Sequence, residues 1–212
     1  MIALPLVTAL IAGFVHALEA DHMAAVTTFV SRRPRPVEAL RFGVRWGLGH
    51  SAAILAVGGV LIALDLRLSD GVARGLEFGV GMMLLGLGVW LLWIVLHGRA
   101  HALAHGTGSP HGHRHRGATT WVGVAHGLAG TAPLIAVLPV AFISSTTHAV
   151  SYLLLFGVGT VVAMGLYALT AGIVFRYAGE RIPTLGSTLR IVTALASAVI
   201  GGVWMYGAAA GT

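Results

Sequence analysis

The chain has 212 residues, of which 57% are hydrophobic and 9% charged, and its mean hydropathy is +0.88. That balance excludes a soluble globular domain, in which about a quarter of residues are charged, and predicts a single domain with nearly all of its mass in a bilayer. The formal charge of +6 comes from arginine alone, and the absence of cysteine excludes disulfides, thiolate metal sites and thiol–disulfide relays.

Hydropathy predicts an all-α membrane protein with six transmembrane helices. The first covers about residues 4–29; no basic stretch or small-residue cleavage site precedes its polar motif, so it is expected to stay as a helix and not to be removed as a signal peptide. Ser31-Arg32-Arg33-Pro34-Arg35-Pro36 ends it. The second span runs from near Val37 to Leu64, and Asp65–Arg74 forms a polar loop. The third covers about residues 76–96, followed by a polar linker, 98–117. The fourth starts near Thr120 and weakens at Pro133 and Pro139, and 144–148 forms a short loop. The fifth covers about 150–175, 176–187 forms a further polar loop, and the sixth covers about 189–208.

The arginines lie between apolar segments, so they read as topology signals rather than nucleic-acid contacts. Eleven of the thirteen flank the first, third and fifth loops; only Arg67 and Arg74 flank the second and none the fourth. The positive-inside rule makes the arginine-rich side cytoplasmic and puts both termini outside. An internal repeat is also visible. Gly123-Val124-Ala125-His126-Gly127-Leu128 echoes Gly13-Phe14-Val15-His16-Ala17-Leu18, 110 residues apart. Gly157-Val158-Gly159 echoes Gly47-Leu48-Gly49 at the same offset, and Gly202-Val203-Trp204 echoes Gly88-Val89-Trp90 at 114. Three helices is an odd number, so the second copy enters the membrane inverted, an arrangement found in transporters. The expected organisation is one transporter domain over 1–212, with repeats at 1–97 and 118–212 joined by a cytoplasmic histidine-rich loop, 98–117.

The chemistry is concentrated in the first span. His16, Glu19, Asp21 and His22 lie within seven residues of an otherwise apolar run. Ionisable groups at that depth each cost about 2.5–3.5 kcal/mol on insertion, so four together mark a metal or proton pathway and not helix glue. At about 100° per residue, His16, Glu19 and His22 share an arc of roughly 120°, while Asp21 falls about 140° from His16. A regular helix cannot aim all four at one ion. Either Asp21 serves another partner, such as an arginine, or the helix is unwound near Ala20. Arg45 could neutralise Asp21, although snorkelling to the interface is the simpler expectation.

Elsewhere the polar signals are sparser. His50 follows Gly47 and Gly49, which would let another helix approach, and is expected to join the pathway. His126 is the repeat partner of His16; its neighbours bring Thr131 and no carboxylate. Thr160 stands at the position equivalent to His50 and reads as packing. His97, His101 and His105 recur every four residues, as on a helical extension of the third span, and His111, His113 and His115 alternate. Clustered imidazoles bind nickel, cobalt, zinc or copper, so this stretch is expected to buffer metal.

His16, Asp21 and His22, spaced His-x4-Asp-His, together with Leu48-Gly49-His50-Ser51 on the next helix, resemble the signature motifs of the nickel/cobalt transporter superfamily. Glu19 stands where that family usually carries aspartate, and Ala52-Ala53 where it has Thr-Val. The later acidic motifs have no counterpart, and the family usually has eight helices. The second half, with His126-Gly127-Leu128-Ala129-Gly130, is more similar to the short urease-accessory-type nickel permeases. The resemblance implies His16, Asp21, His22 and His50 as metal-pathway residues. With Glu19 and His126 added from the residues themselves, the expected protein is a multi-pass inner-membrane secondary transporter for Ni²⁺, with Co²⁺ second, and not an enzyme. It needs no prosthetic group, meets no nucleic acid, and could meet a metallochaperone or urease or hydrogenase maturation proteins. The alternatives are a nickel/cobalt efflux permease, a non-transporting membrane nickel chaperone, or a proton-coupled exporter of another substrate.

Overall fold

Lipid offers no partner for backbone polar groups, so an apolar run of this kind satisfies them within helices. The computed structural model describes residues 3–32, 35–64, 69–104, 118–128 and 145–211, and every regular element among them is helical. In order these are α1 (Ala3–His16), α2 (Ala20–Val30), α3 (Pro36–Ala63), α4 (Asp70–Ala104), α5 (Ala118–Leu128), α6 (Thr146–Arg181) and α7 (Pro183–Ala210). Among the described residues, four helices are long and apolar enough to cross a membrane: Pro36–Leu61, Asp70–His97, Thr146–Arg181 and Thr184–Ala210. Leu6–His16 and Ala20–Val30 qualify together as a broken span, bent by 57°. Of the predicted fourth span, α5 is the described part. Thr131, Pro133 and Pro139 lie outside the described residues, as does the linker from His105 through His115.

The predicted first span is therefore two helices. The chain tightens at the end of α1, where Leu18 N–H donates to the Val15 carbonyl and Glu19 N–H to that of His16. It restarts from an extended Glu19 (φ −65°, ψ 153°). The break falls at Ala17–Glu19, just before the Ala20 expected from the angular conflict among the polar residues. The predicted polar loop at 176–187 is almost absent. α6 runs to Arg181, helped by an Arg176–Glu180 ion pair one turn apart (2.9 Å), and α7 resumes at Pro183. Only Ile182 leaves the helix, as expected for a residue held out of the α region by the following proline. The start of the predicted linker is helical too, since α4 continues to Ala104 and carries His97 and His101.

The distribution of side chains is inverted relative to a soluble protein. Valines, leucines and aromatics such as Val199, Val203, Trp121 and Tyr206 are exposed, whereas His16, Asp21, His22, His50, Ser51, His126, Thr160 and Ser197 are buried. An apolar exterior suits lipid, and polar groups gathered in such an interior mark a candidate functional site.

Two packed units hold that interior. α1, α3, α5 and α6 form the first; α4 and α7 pack along one another as the second, and α2 lies between, touching α7, α6 and α4. In the first unit, a Cβ on Gly13 would strike the Phe156 carbonyl and one on Gly159 the Leu10 carbonyl. On the opposite side, a Cβ on Gly123 would strike the Trp46 carbonyl and one on Gly49 the Thr120 carbonyl. Each residue of the first interface lies 110 positions from its counterpart in the second, so α1 sits on α6 in the register that α5 adopts on α3. Close backbone approach through glycine substitutes here for the hydrophobic drive that lipid removes. α2 is tied to the second unit by Arg190 Nε donating to the Ser31 carbonyl (3.1 Å) and by Arg32 stacked over Trp90 (4.3 Å). It is tied to the first by the Tyr167 hydroxyl donating to Thr27 Oγ1 (2.6 Å).

Candidate metal centre

The break in the first span is what assembles the centre. It leaves His16 on the last turn of α1 and puts Asp21 and His22 in the first turn of α2. An anionic Asp21 at a helix N-terminus also meets the favourable end of the helix dipole. The glycines of α3 bring the other elements close: Gly49 meets α5, and Gly47 meets the Cα of Val161 on α6. Gly127 of α5 lies against the backbone of His50. His50 on α3 and His126 on α5 thereby face the break, and all five of these residues are at most 4% exposed.

His16 Nε2 lies 3.3 Å from His50 Nε2, and His22 Nε2 lies 3.4 Å from the same atom. A carboxylate only accepts hydrogen bonds. Hence His16 Nδ1–H donates to Glu19 Oε1 (3.0 Å) and His22 Nδ1–H to Asp21 Oδ1 (2.9 Å). Both rings then present bare Nε2 lone pairs to His50. Two nitrogens bound tetrahedrally to one ion at about 2.0–2.1 Å stand about 3.3–3.4 Å apart, which is the spacing found here. Carboxylates holding the far nitrogen of a ligating histidine are the usual outer support of a metal site. Asp21 spends its second oxygen on His126, accepting from Nε2–H at 3.2 Å. Among the described residues, His50 Nδ1, His126 Nδ1 and Trp46 Nε1 are buried without a hydrogen-bond partner.

The six expected site residues thus divide. His16, His22 and His50 form one trio of potential ligands, and Asp21, His22 and His126 form another. Glu19 is partly exposed and meets the trio only through His16 Nδ1. Asp21 faces two imidazoles, not an arginine; Arg45 is exposed on α3. Thr160 donates to the Gly13 and Phe156 carbonyls, a packing role. His97 is exposed and its Nδ1–H donates to the Trp93 carbonyl one turn back (2.9 Å). Two residues of the site escaped notice in the sequence. Phe156 lies against His16 (5.6 Å between centroids) and Trp46 against His126 (5.7 Å). They stand 110 positions apart, so the repeat offset itself was the signal that could have found them.

No family model matches the chain, and no solved structure matches it. The chain is 29% identical over 200 residues to the urease accessory protein UreH of Bacillus sp. (strain TB-90), covering 92% of this chain and 87% of that protein. It is 30% identical over 208 residues to the chloroplast protein FOR GROWTH AND FERTILITY 2 of Arabidopsis thaliana, and 29% identical over 209 residues to FOR GROWTH AND FERTILITY 1. The chain spans 54% and 56% of the lengths of those two plant proteins. Similarity to a urease accessory protein thus extends over most of the chain.

Proposed function

We propose that this protein is a secondary transporter that carries a divalent transition metal, Ni²⁺ before Co²⁺, across the inner membrane and towards the cytoplasm. The observation that carries the reading is the convergence of three buried imidazole nitrogens, 3.3 and 3.4 Å apart, at a break in a span. Imidazole suits late first-row cations. The His16 and His22 Nε2 lone pairs, fixed by carboxylates on the far nitrogens, face His50 Nε2, which joins them as a third ligand when His50 carries its proton on Nδ1. The similarity to a urease accessory protein favours nickel, in line with the resemblance to nickel/cobalt transporters. The site is asymmetric, since Asp21 and Glu19 of the first half supply the anionic charge and the second half supplies His126.

In this reading the ion sheds water for His16, His22 and His50, while Glu19 and Asp21 hold those rings in the metal-accepting tautomer and offset the charge. The matched glycine contacts, 110 residues apart, support a repeat within one domain; with six spans, three to a copy, the second copy is inverted, and the arginine distribution puts both termini outside. The site is also split, because His16 and His50 belong to the unit of α1, α3, α5 and α6, whereas His22 rides on α2, which bridges that unit and the pair of α4 and α7. Rocking of one unit against the other would open and close the trio at Ala17–Glu19, an alternating-access motion.

Purified protein in liposomes tests the reading. Ni²⁺ should enter the lumen under an imposed membrane potential or proton gradient, and His16→Ala or His22→Ala should reduce entry to the rate of empty vesicles. Binding without movement would replace the transporter with a membrane nickel chaperone. Metal entry that survives both substitutions would instead favour a proton relay for another substrate.

A further inference from the structure

We infer that Asp21, His22 and His126 form a second metal station, and that one ion is handed to it from the His16–His22–His50 trio by passing across the His22 ring. This station rests on the metal-transport reading of the first trio.

The two trios share a single residue and use opposite edges of it. His22 turns Nε2 towards His50 (3.4 Å) and Nδ1 towards Asp21 Oδ1 (2.9 Å). Asp21 Oδ2 reaches His126 Nε2 at 3.2 Å, and the His22 and His126 rings are 4.5 Å apart between centroids. In each trio the ligand atoms lie within 4.8 Å of one another, and all three residues are buried. A neutral imidazole has one N–H and one lone pair. With the proton on Nδ1, His22 offers Nε2 to the first trio. In the hand-over the ion displaces the Nδ1 proton to water while water returns one to Nε2, and His126 shifts its proton from Nε2 to Nδ1 in the same way. Protons are thus exchanged one for one, and His22 then offers Nδ1 to the second trio. The ring therefore serves one station at a time, and the chain holds one ion, not two.

The stations are also ordered along α3. His16 packs against Phe156 and His50, whereas His126 packs against Trp46 and His50. Trp46 lies one turn before His50, towards the arginine-rich end of α3. The first station is all imidazole; the second adds a carboxylate as a direct ligand and so neutralises one of the two ionic charges. His126 Nδ1 is a buried polar atom that nothing among the described residues satisfies.

Equilibrium binding of Ni²⁺, and the visible spectrum of bound Co²⁺, measured on the purified full chain separate the possibilities. Wild type should bind one ion per chain. His50→Ala should still bind one, at least about tenfold more weakly, as expected for a damaged metal shell. Its Co²⁺ bands should shift as a carboxylate oxygen replaces an imidazole nitrogen. His126→Ala should keep the wild-type spectrum at the first station yet lose at least about tenfold in liposome uptake, a loss of the kind damaged metal shells show. The double variant should bind none. His126→Gln, which retains polarity, repeats the test if the alanine variant is not monodisperse. Two ions per chain in wild type, or loss of all binding in His50→Ala with normal uptake in His126→Ala, would overturn the second station and leave the first intact. A wild-type chain that binds no metal at all would instead overturn the transport reading.

Discussion

Among the described residues, the histidines at the α1–α2 break form a centre, whereas His97 on α4 does not. At the α1–α2 break, four imidazoles from four helices are buried together, and two of their Nδ1 protons are held by carboxylates. At the end of α4, His97 is exposed and spends its Nδ1 proton on its own helix's carbonyl. Convergence of several rings on one point separates a ligand set from a single exposed histidine such as His97.

That contrast can be broken most severely at His22, which belongs to both trios. His22→Ala is expected to reduce Ni²⁺ affinity by more than about a hundredfold, beyond the range seen when only an outer partner is lost; isothermal titration of the purified chain checks it. A residual affinity near wild type would mean that the trios are not the binding site.

Next comes the packing that creates convergence. Gly159→Ala drives a Cβ into the Leu10 carbonyl, whereas Gly86 has nothing within 4 Å of an added Cβ. Gly159→Ala should destabilise the helix pair by about 1–3 kcal/mol, as overpacking does, and Gly86→Ala should leave it unchanged. Thermal unfolding in detergent distinguishes the two, and equal melting temperatures would contradict the close approach.

Glu19→Gln sharpens the comparison more gently. It keeps the shape but removes the obligate acceptor that holds the His16 proton on Nδ1. Metal affinity should fall about 10- to 100-fold, measured by the same titration, with unfolding unaffected. The smallest effect is expected at His97. Its ring is exposed and bonded only locally, so His97→Ala should change liposome uptake by less than about twofold, as surface substitutions usually do. A larger loss would place the end of α4 on the ion's route.

Much of this was legible in the residues. The angular conflict among His16, Asp21 and His22 required either a broken helix or an outside partner for Asp21, and the chain has both, at Ala17–Glu19 and at His126. The glycines beside His50 foretold a close neighbour, found at Thr120. Hydropathy misjudged the connections, because a polar, charged sequence such as 176–181 reads as loop although its Arg176–Glu180 pair suits a helix end projecting from lipid. The partner of Asp21 was not legible either. His126 lies 105 residues away, and nothing local to it carries charge.

By itself the sequence determined the lipid setting, the helical class and the residue types that meet a metal, since insertion cost and backbone satisfaction act on each segment alone. Only the tertiary structure decided which nitrogen faces which. That choice depends on where glycine lets two backbones touch and on which ring edge a carboxylate occupies, and both are properties of contacts between segments far apart in the chain.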